Sequence, residues 1–165
     1  MNEQTKNSNL QMLILILVCI NLFMTGYLIL QSKQPNQSSS VSNSSTPEIS
    51  SEKASAVAKP LVEAFNKKDI DSLYMQFSEL ARLQVTKQKV QESVEGLYPI
   101  TGQIKKFVFS HAQPLGEQDG KQFVTLLYKL QLEGGTMPIG ELKITVVVQD
   151  ETLSVYGFFI NAQLQ

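Results

Sequence analysis

From Met12 to Leu30 the sequence reads MLILILVCINLFMTGYLIL without one charged residue, and no other stretch limits the chain so sharply. Lipid offers no partner to backbone N–H and C=O groups, so such a run is tolerated in a bilayer only as a helix. Its roughly 19 residues would span about 28 Å at 1.5 Å each, close to the hydrocarbon thickness. The rival is a cleaved signal peptide, whose apolar core is usually shorter and is followed by small residues at the cut. Here the run closes on Leu28-Ile29-Leu30-Gln31, with no small-x-small site, and Val18 precedes Cys19 where lipid attachment calls for a small residue. The expectation is an uncleaved, single-pass anchor over 12–30 in membrane lipid, marked by Met12, Leu17, Asn21, Thr25 and Leu30. Asn21 and Thr25 stand one helical turn apart. They can bond to a neighbouring membrane helix or within their own, and the weakness of measured interhelical bonds favours the second.

Residues 1–11 form a short arm before the anchor, and residues 31–46 follow it as QSKQPNQSSSVSNSST. A segment dominated by Ser, Asn and Gln cannot bury enough surface to offset its ordering entropy, so it reads as a flexible linker. Lys6 and the amino terminus lie before the apolar run and Lys33 just after it, a thin excess for the positive-inside rule. Together with the Ser/Asn-rich exit, it points to a cytoplasmic N-terminus and a domain outside, periplasmic or extracellular if the source is bacterial. That domain is residues 47–165.

Charge is nearly balanced, with 14 Lys plus Arg against 15 Asp plus Glu. Nucleic-acid binding needs a basic stripe to displace phosphate counterions, and here only Lys67-Lys68 and Lys105-Lys106 are adjacent. The one cysteine, Cys19, lies in the apolar run, so the domain has neither an internal disulfide nor a thiolate metal site. With His111 as the single histidine, ligand counting argues against zinc, and no cofactor motif is present.

Thr46-Pro47-Glu48 offers a helix start: a capping hydroxyl, proline at the first position and an early acid. Ala54, Val57, Ala58, Leu61, Val62 and Phe65 then recur at helical spacing, with a kink or restart expected at Pro60. Asn66-Lys67-Lys68-Asp69 breaks the pattern. Asp69 can cap a second short helix that buries Ile70, Leu73, Tyr74 and Phe77. A third helix is expected from about Thr86 through Val90 and Val94 to a stop at Gly96. After Tyr98-Pro99 the period becomes alternating. Ile104–His111, Gln122–Leu132, Gly140–Gln149 and Leu153–Asn161 read as strands, with turns at 116–121, 133–138 and 150–152. Helices first and hairpin-linked strands second predict an α+β domain with an antiparallel sheet of about four strands.

Val124, Leu126, Tyr128, Leu130 and Leu132 share one face of the second strand, and Leu142, Ile144, Val146 and Val148 one face of the third. Both sets should pack beneath the helices. On the opposite face Leu127, Val147, Val155 and Phe159 are expected to gather as an apolar island among Thr125, Lys129, Lys143 and Thr145. Such an island is either a contact surface or the ordinary scatter of exposed apolar residues.

The helices around AVAKPLVEAFNKKDIDSLYMQFS, the segment EGLYPITGQIKKF, the strand meander and the closing SVYGFFI resemble the nuclear transport factor 2-like (cystatin-like) superfamily. They are most similar to its small bacterial extracytoplasmic members of unassigned function. The likeness covers roughly residues 52–162 and rests on element order and apolar spacing. It implies a cone in which a curved sheet wraps a long helix. Some members are isomerases or hydratases with acid or histidine side chains inside the cone, and many are binding or dimerising modules.

General acid–base chemistry needs a base and a donor converging in one pocket. The inward strand positions supply aliphatic side chains and Tyr128, while Glu117, Asp119, Asp150 and Glu151 fall in turns. His111 ends the first strand after Phe107 and Phe109. It reads either as a base with Tyr128 or Tyr156 as donor, or as a rim histidine, and the lack of an acid partner favours the rim. The leading expectation is a membrane-tethered, non-catalytic domain for a protein partner, a second copy of itself (a homodimer) or an apolar ligand. The alternative is a small isomerase- or hydratase-like enzyme acting on an apolar substrate.

Overall fold

Four helices precede four strands in the computed structural model, which describes residues 48–150 and 152–163. The expected arm, anchor and most of the linker lie outside the described residues. Among the described residues no helix is long and apolar enough to cross a membrane.

The first helix, α1 (Ser51–Lys67), is capped by Ser50, whose Oγ accepts the Lys53 N–H at 3.2 Å. Glu48, Ile49 and Ser50 are not helical, so the start falls after Thr46-Pro47-Glu48. Pro60 neither ends nor restarts the helix, which remains a single element. The loss of one N–H partner is offset by an apolar stripe that runs on both sides of it: Ala54, Ala58, Leu61, Val62 and Phe65 are all buried. At the other end Lys68 takes the left-handed conformation (φ 54°) and its N–H bonds back to Phe65 O at 3.0 Å.

Asp69 caps α2 (Ile70–Gln76) as expected, accepting the Ser72 N–H at 3.0 Å and the Ser72 hydroxyl at 2.7 Å. A four-residue helix, α3 (Glu79–Arg82), follows behind Ser78 and has no counterpart in the sequence reading. Thr86 caps α4 (Lys87–Thr101). This helix passes the expected stop at Gly96 and ends at Gly102. A glycine inside a helix costs only about 1 kcal/mol relative to alanine, less than the packing gained by carrying the stripe from Val94 on to Tyr98 and the buried Thr101.

The sheet is a meander of β1 (Gly102–Gln118), β2 (Lys121–Gly134), β3 (Ile139–Gln149) and β4 (Thr152–Gln163), antiparallel throughout and in sequential order. The first turn is tighter than expected. Asp119 (φ 51°) and Gly120 (φ 70°) join β1 to β2 directly, the Asp-Gly pattern of a two-residue hairpin. All the helix-facing residues named on β2 are buried, as are Leu142, Ile144 and Val146 on β3, with Val148 half-buried. At their centre Tyr128 is fully buried and donates its hydroxyl to Ala54 O of α1 at 2.7 Å.

The edge strands carry every register break recorded in the sheet. On β1, residues Lys105, Ser110 and Leu115 are each extra relative to β2, and on β4 Tyr156 is extra relative to β3. Such bulges bend a strand and raise its twist. Each also reverses the face of the residues beyond it, because side chains alternate with period two.

Two contacts close the sheet against the helices. The Asn66 side chain, in the last turn of α1, accepts the Ile104 N–H at 2.8 Å and donates to Ile104 O at 3.0 Å, so a carboxamide stands where a neighbouring strand would. Beside β4, Phe77 bridges Val155 and Ser78 N–H donates to Val155 O at 2.7 Å.

Candidate functional site

The helix-facing side of the sheet is filled by apolar side chains. Phe65 packs against Tyr98 and Phe158 with ring centroids 5.7 and 5.9 Å apart, and Phe107 and Phe109 meet Tyr128 edge-on at 6.1 and 5.6 Å. Burial raises the Tyr128 hydroxyl above the ordinary tyrosine pKa. With its proton committed to Ala54 O, this tyrosine acts as a strut between sheet and helix rather than as a proton donor to a guest.

His111 does not join it. Simple alternation would place Phe107, Phe109 and His111 on one face, but the bulge at Ser110 turns His111 to the opposite one, paired with Leu127. There it is exposed, and its Nδ1 lies 3.1 Å from Ser110 Oγ. Among the described residues no three His, Cys, Asp or Glu side chains are grouped as a metal could use them.

The bulge on β4 corrects the expected outer island in the same way. Val155 pairs with the inward-facing Val146 and belongs to the core, so it leaves the set. Leu127 and Val147 are buried without belonging to that core, and Phe159, beside Lys143 in the register, is 55% exposed. Phe123 and Tyr156 replace Val155: their rings meet edge-on at 5.2 Å, and the Tyr156 hydroxyl donates to Gln84 Oε1 at 2.8 Å. The resulting outer face joins Phe123, Leu127, Val147 and Phe159 with Thr125 and Thr145, and Tyr156, which also packs against the core, meets Phe123 at its edge. Lys143 is paired with Glu141 at 3.3 Å. The expected anchor residues Met12, Leu17, Asn21, Thr25 and Leu30 lie outside the described residues.

Two concavities lie at the margins of the helical layer. One, of about 370 Å³, is lined by Val57 and Pro60 of α1, Gln76 and Ser78, and Leu153 to Val155. The other, of about 510 Å³, lies between the α1–α2 turn and α4 and is lined by Lys68, Ile70, Gln91, Val94, Glu95, Tyr98, Pro99 and Gly134. The sequence does not show this second groove, because Lys67-Lys68 falls in the break between helices and Tyr98 at the change of period. The Asn66 clamp is not visible there either, because its partner Ile104 is far away in sequence.

No protein-family model matches the chain, and no curated protein matches it.

Proposed function

We propose that this chain is a single-pass, membrane-tethered binding or assembly domain without catalysis. Its N-terminus would be cytoplasmic and its domain outside, built as a nuclear transport factor 2-like cone that presents the outer sheet face to a protein partner or a second copy. The observation that carries this reading is the placement of apolar side chains on both sides of one sheet. Tyr128 and its neighbours fill the inner side up to the Ala54 carbonyl. Phe123, Leu127, Val147 and Phe159 lie on the other side, where Leu127 and Val147 are buried and Phe159 is largely in solvent. An exposed aromatic ring on an apolar sheet face is a common mark of protein contact.

The test is photocrosslinking in intact membranes with a benzophenone amino acid at position 159 and, separately, at Leu83, which is exposed at the end of α3. The reading expects a discrete protein adduct from 159 that Thr145→Arg, on the same face, abolishes, and none from 83. An identical pattern from both positions, or no adduct from 159, would refute it.

A further inference from the structure

We infer that the groove between the α1–α2 turn and α4 binds a small monoanionic ligand with an apolar body, such as an arylalkyl carboxylate. This inference is independent of the outer-face contact.

The floor of the groove is rigid. The Tyr98 ring packs on Phe65 of the core, and its hydroxyl donates to Asn66 O at 3.4 Å. Asn66 is itself held by both backbone groups of Ile104. At the rim stands Lys68. Its backbone is fixed in the left-handed conformation by the bond from its N–H to Phe65 O, and its Nζ lies 3.8 Å from the centroid of the Tyr98 ring. Among the described residues Lys68 has no carboxylate partner. The Tyr98 ring is half-buried, and a cation over it is held by about 1 kcal/mol, which a charge-assisted bond to an anion can exceed. Ile70, Val94 and Pro99 add apolar walls, and the volume of about 510 Å³ falls in the range of small-molecule sites.

The charges restrict the ligand further. Glu95 lines the same groove, its carboxylate oriented by the Gln91 amide at 2.8 Å. It opposes a second negative charge, and the groove has neither an arginine nor a second lysine. A phosphate dianion needs more donors than one ammonium provides. A single carboxylate on Lys68, with the rest of the molecule on the Tyr98 ring, uses what is present.

The experiment measures binding of 4-phenylbutyrate and its uncharged amide to the full chain in zwitterionic nanodiscs, by ligand-observed NMR with empty discs subtracted. The acid should bind at least roughly fivefold more tightly than the amide, as one screened charge-assisted contact would give. Lys68→Gln should remove that preference. Glu95→Gln should strengthen acid binding by roughly two- to fivefold, the like-charge repulsion being relieved. That opposite sign keeps the test decisive if Lys68→Gln disturbs the turn. No binding of the acid above empty discs, equal binding of acid and amide, or no gain in Glu95→Gln would each overturn the inference.

Discussion

Replacing Tyr128 by phenylalanine separates two contributions of a single buried hydroxyl. The ring stays in place between Phe107, Phe109 and α1, so packing is conserved and only the bond to Ala54 O at 2.7 Å is lost. In an α-helix that carbonyl also accepts the N–H four residues on, so it is not orphaned, and the loss at neutral pH is that of a neutral hydrogen bond, about 1 kcal/mol. At alkaline pH the sign changes. Burial raises the folded-state pKa of Tyr128 above its unfolded value of 10.0. Its contribution is therefore complete below pH 10 and falls as pH rises, because the unfolded chain ionises first. The penalty approaches about 1.4 kcal/mol per pH unit above 10 and amounts to about 1.4 kcal/mol at pH 11. Phenylalanine does not carry this penalty.

The stability curves of the wild type and Tyr128→Phe should therefore cross near pH 10.7, the variant being less stable below and more stable above. Urea unfolding of the full chain in mild detergent, read by pulse proteolysis at pH 7, 9, 10, 10.5 and 11, measures the crossing. A difference that stays constant across this range would show that Tyr128 ionises as readily folded as unfolded, and the strut would then be solvated.

Asn66→Ala should cost about 2–3 kcal/mol, since it strips both backbone groups of a buried strand residue of their partners; the urea midpoint checks this, and Asn66→Asp, which keeps the acceptor, should recover part of the loss. Two glycines predict opposite signs. Gly102 has φ 60° and a Cβ there would collide with Glu133 O, so Gly102→Ala should lower stability by more than about 3 kcal/mol. Gly96 has open space around it on α4, so Gly96→Ala should raise stability by about 0.4–1 kcal/mol in the same assay. The Asp69 carboxyl is lowered below 3.8, first by the Ser72 N–H and then by the Ser72 hydroxyl. Its capping contribution is complete above pH 3.8 and is lost as pH falls through the depressed value. Hydrogen exchange of the α2 amides should accelerate over that acid range relative to α4, and Asp69→Asn should flatten the dependence.

The parts of the fold legible in sequence were those fixed by short-range physics. The Asp69 cap, a helix start near Thr86, the order of helices before strands, and the buried faces of β2 and β3 follow from carboxylate placement and from regular periodicity. The central strands are paired on both sides, and β2–β3 runs without a register break from Gln122 to Gln131, so period two holds there. It fails on the edges. Lys105, Ser110, Leu115 and Tyr156 share no chemistry that marks a bulge, because the extra residue is demanded by how an edge strand must bend to stay with its neighbour. Counting across such a residue puts Val155 on the outer face, and the bulge at Tyr156 turns it inward. Asn66 was illegible for a different reason: its role depends on a partner 38 positions away.

The same bulges bear on which surface remains for contact. An edge strand offers unpaired backbone groups that a second chain can extend. On β1 an extra residue interrupts the ladder about every five positions, Pro114 lacks a donor, and Asn66 occupies the backbone groups of Ile104. On β4 Phe77 and Ser78 take part of the opposite edge. Pairing through either edge would need these contacts to break, at about 1 kcal/mol or more for each buried hydrogen bond exchanged. The outer face asks for no such exchange. Phe159 already stands there with apolar surface in water, and covering that surface gains about 25 cal/mol for each Å² removed. If this reasoning holds, Phe159→Asp should abolish the crosslink placed at Thr145 while leaving the unfolding midpoint within about 0.5 kcal/mol of wild type. An edge mutation such as Val108→Pro should leave the crosslink intact.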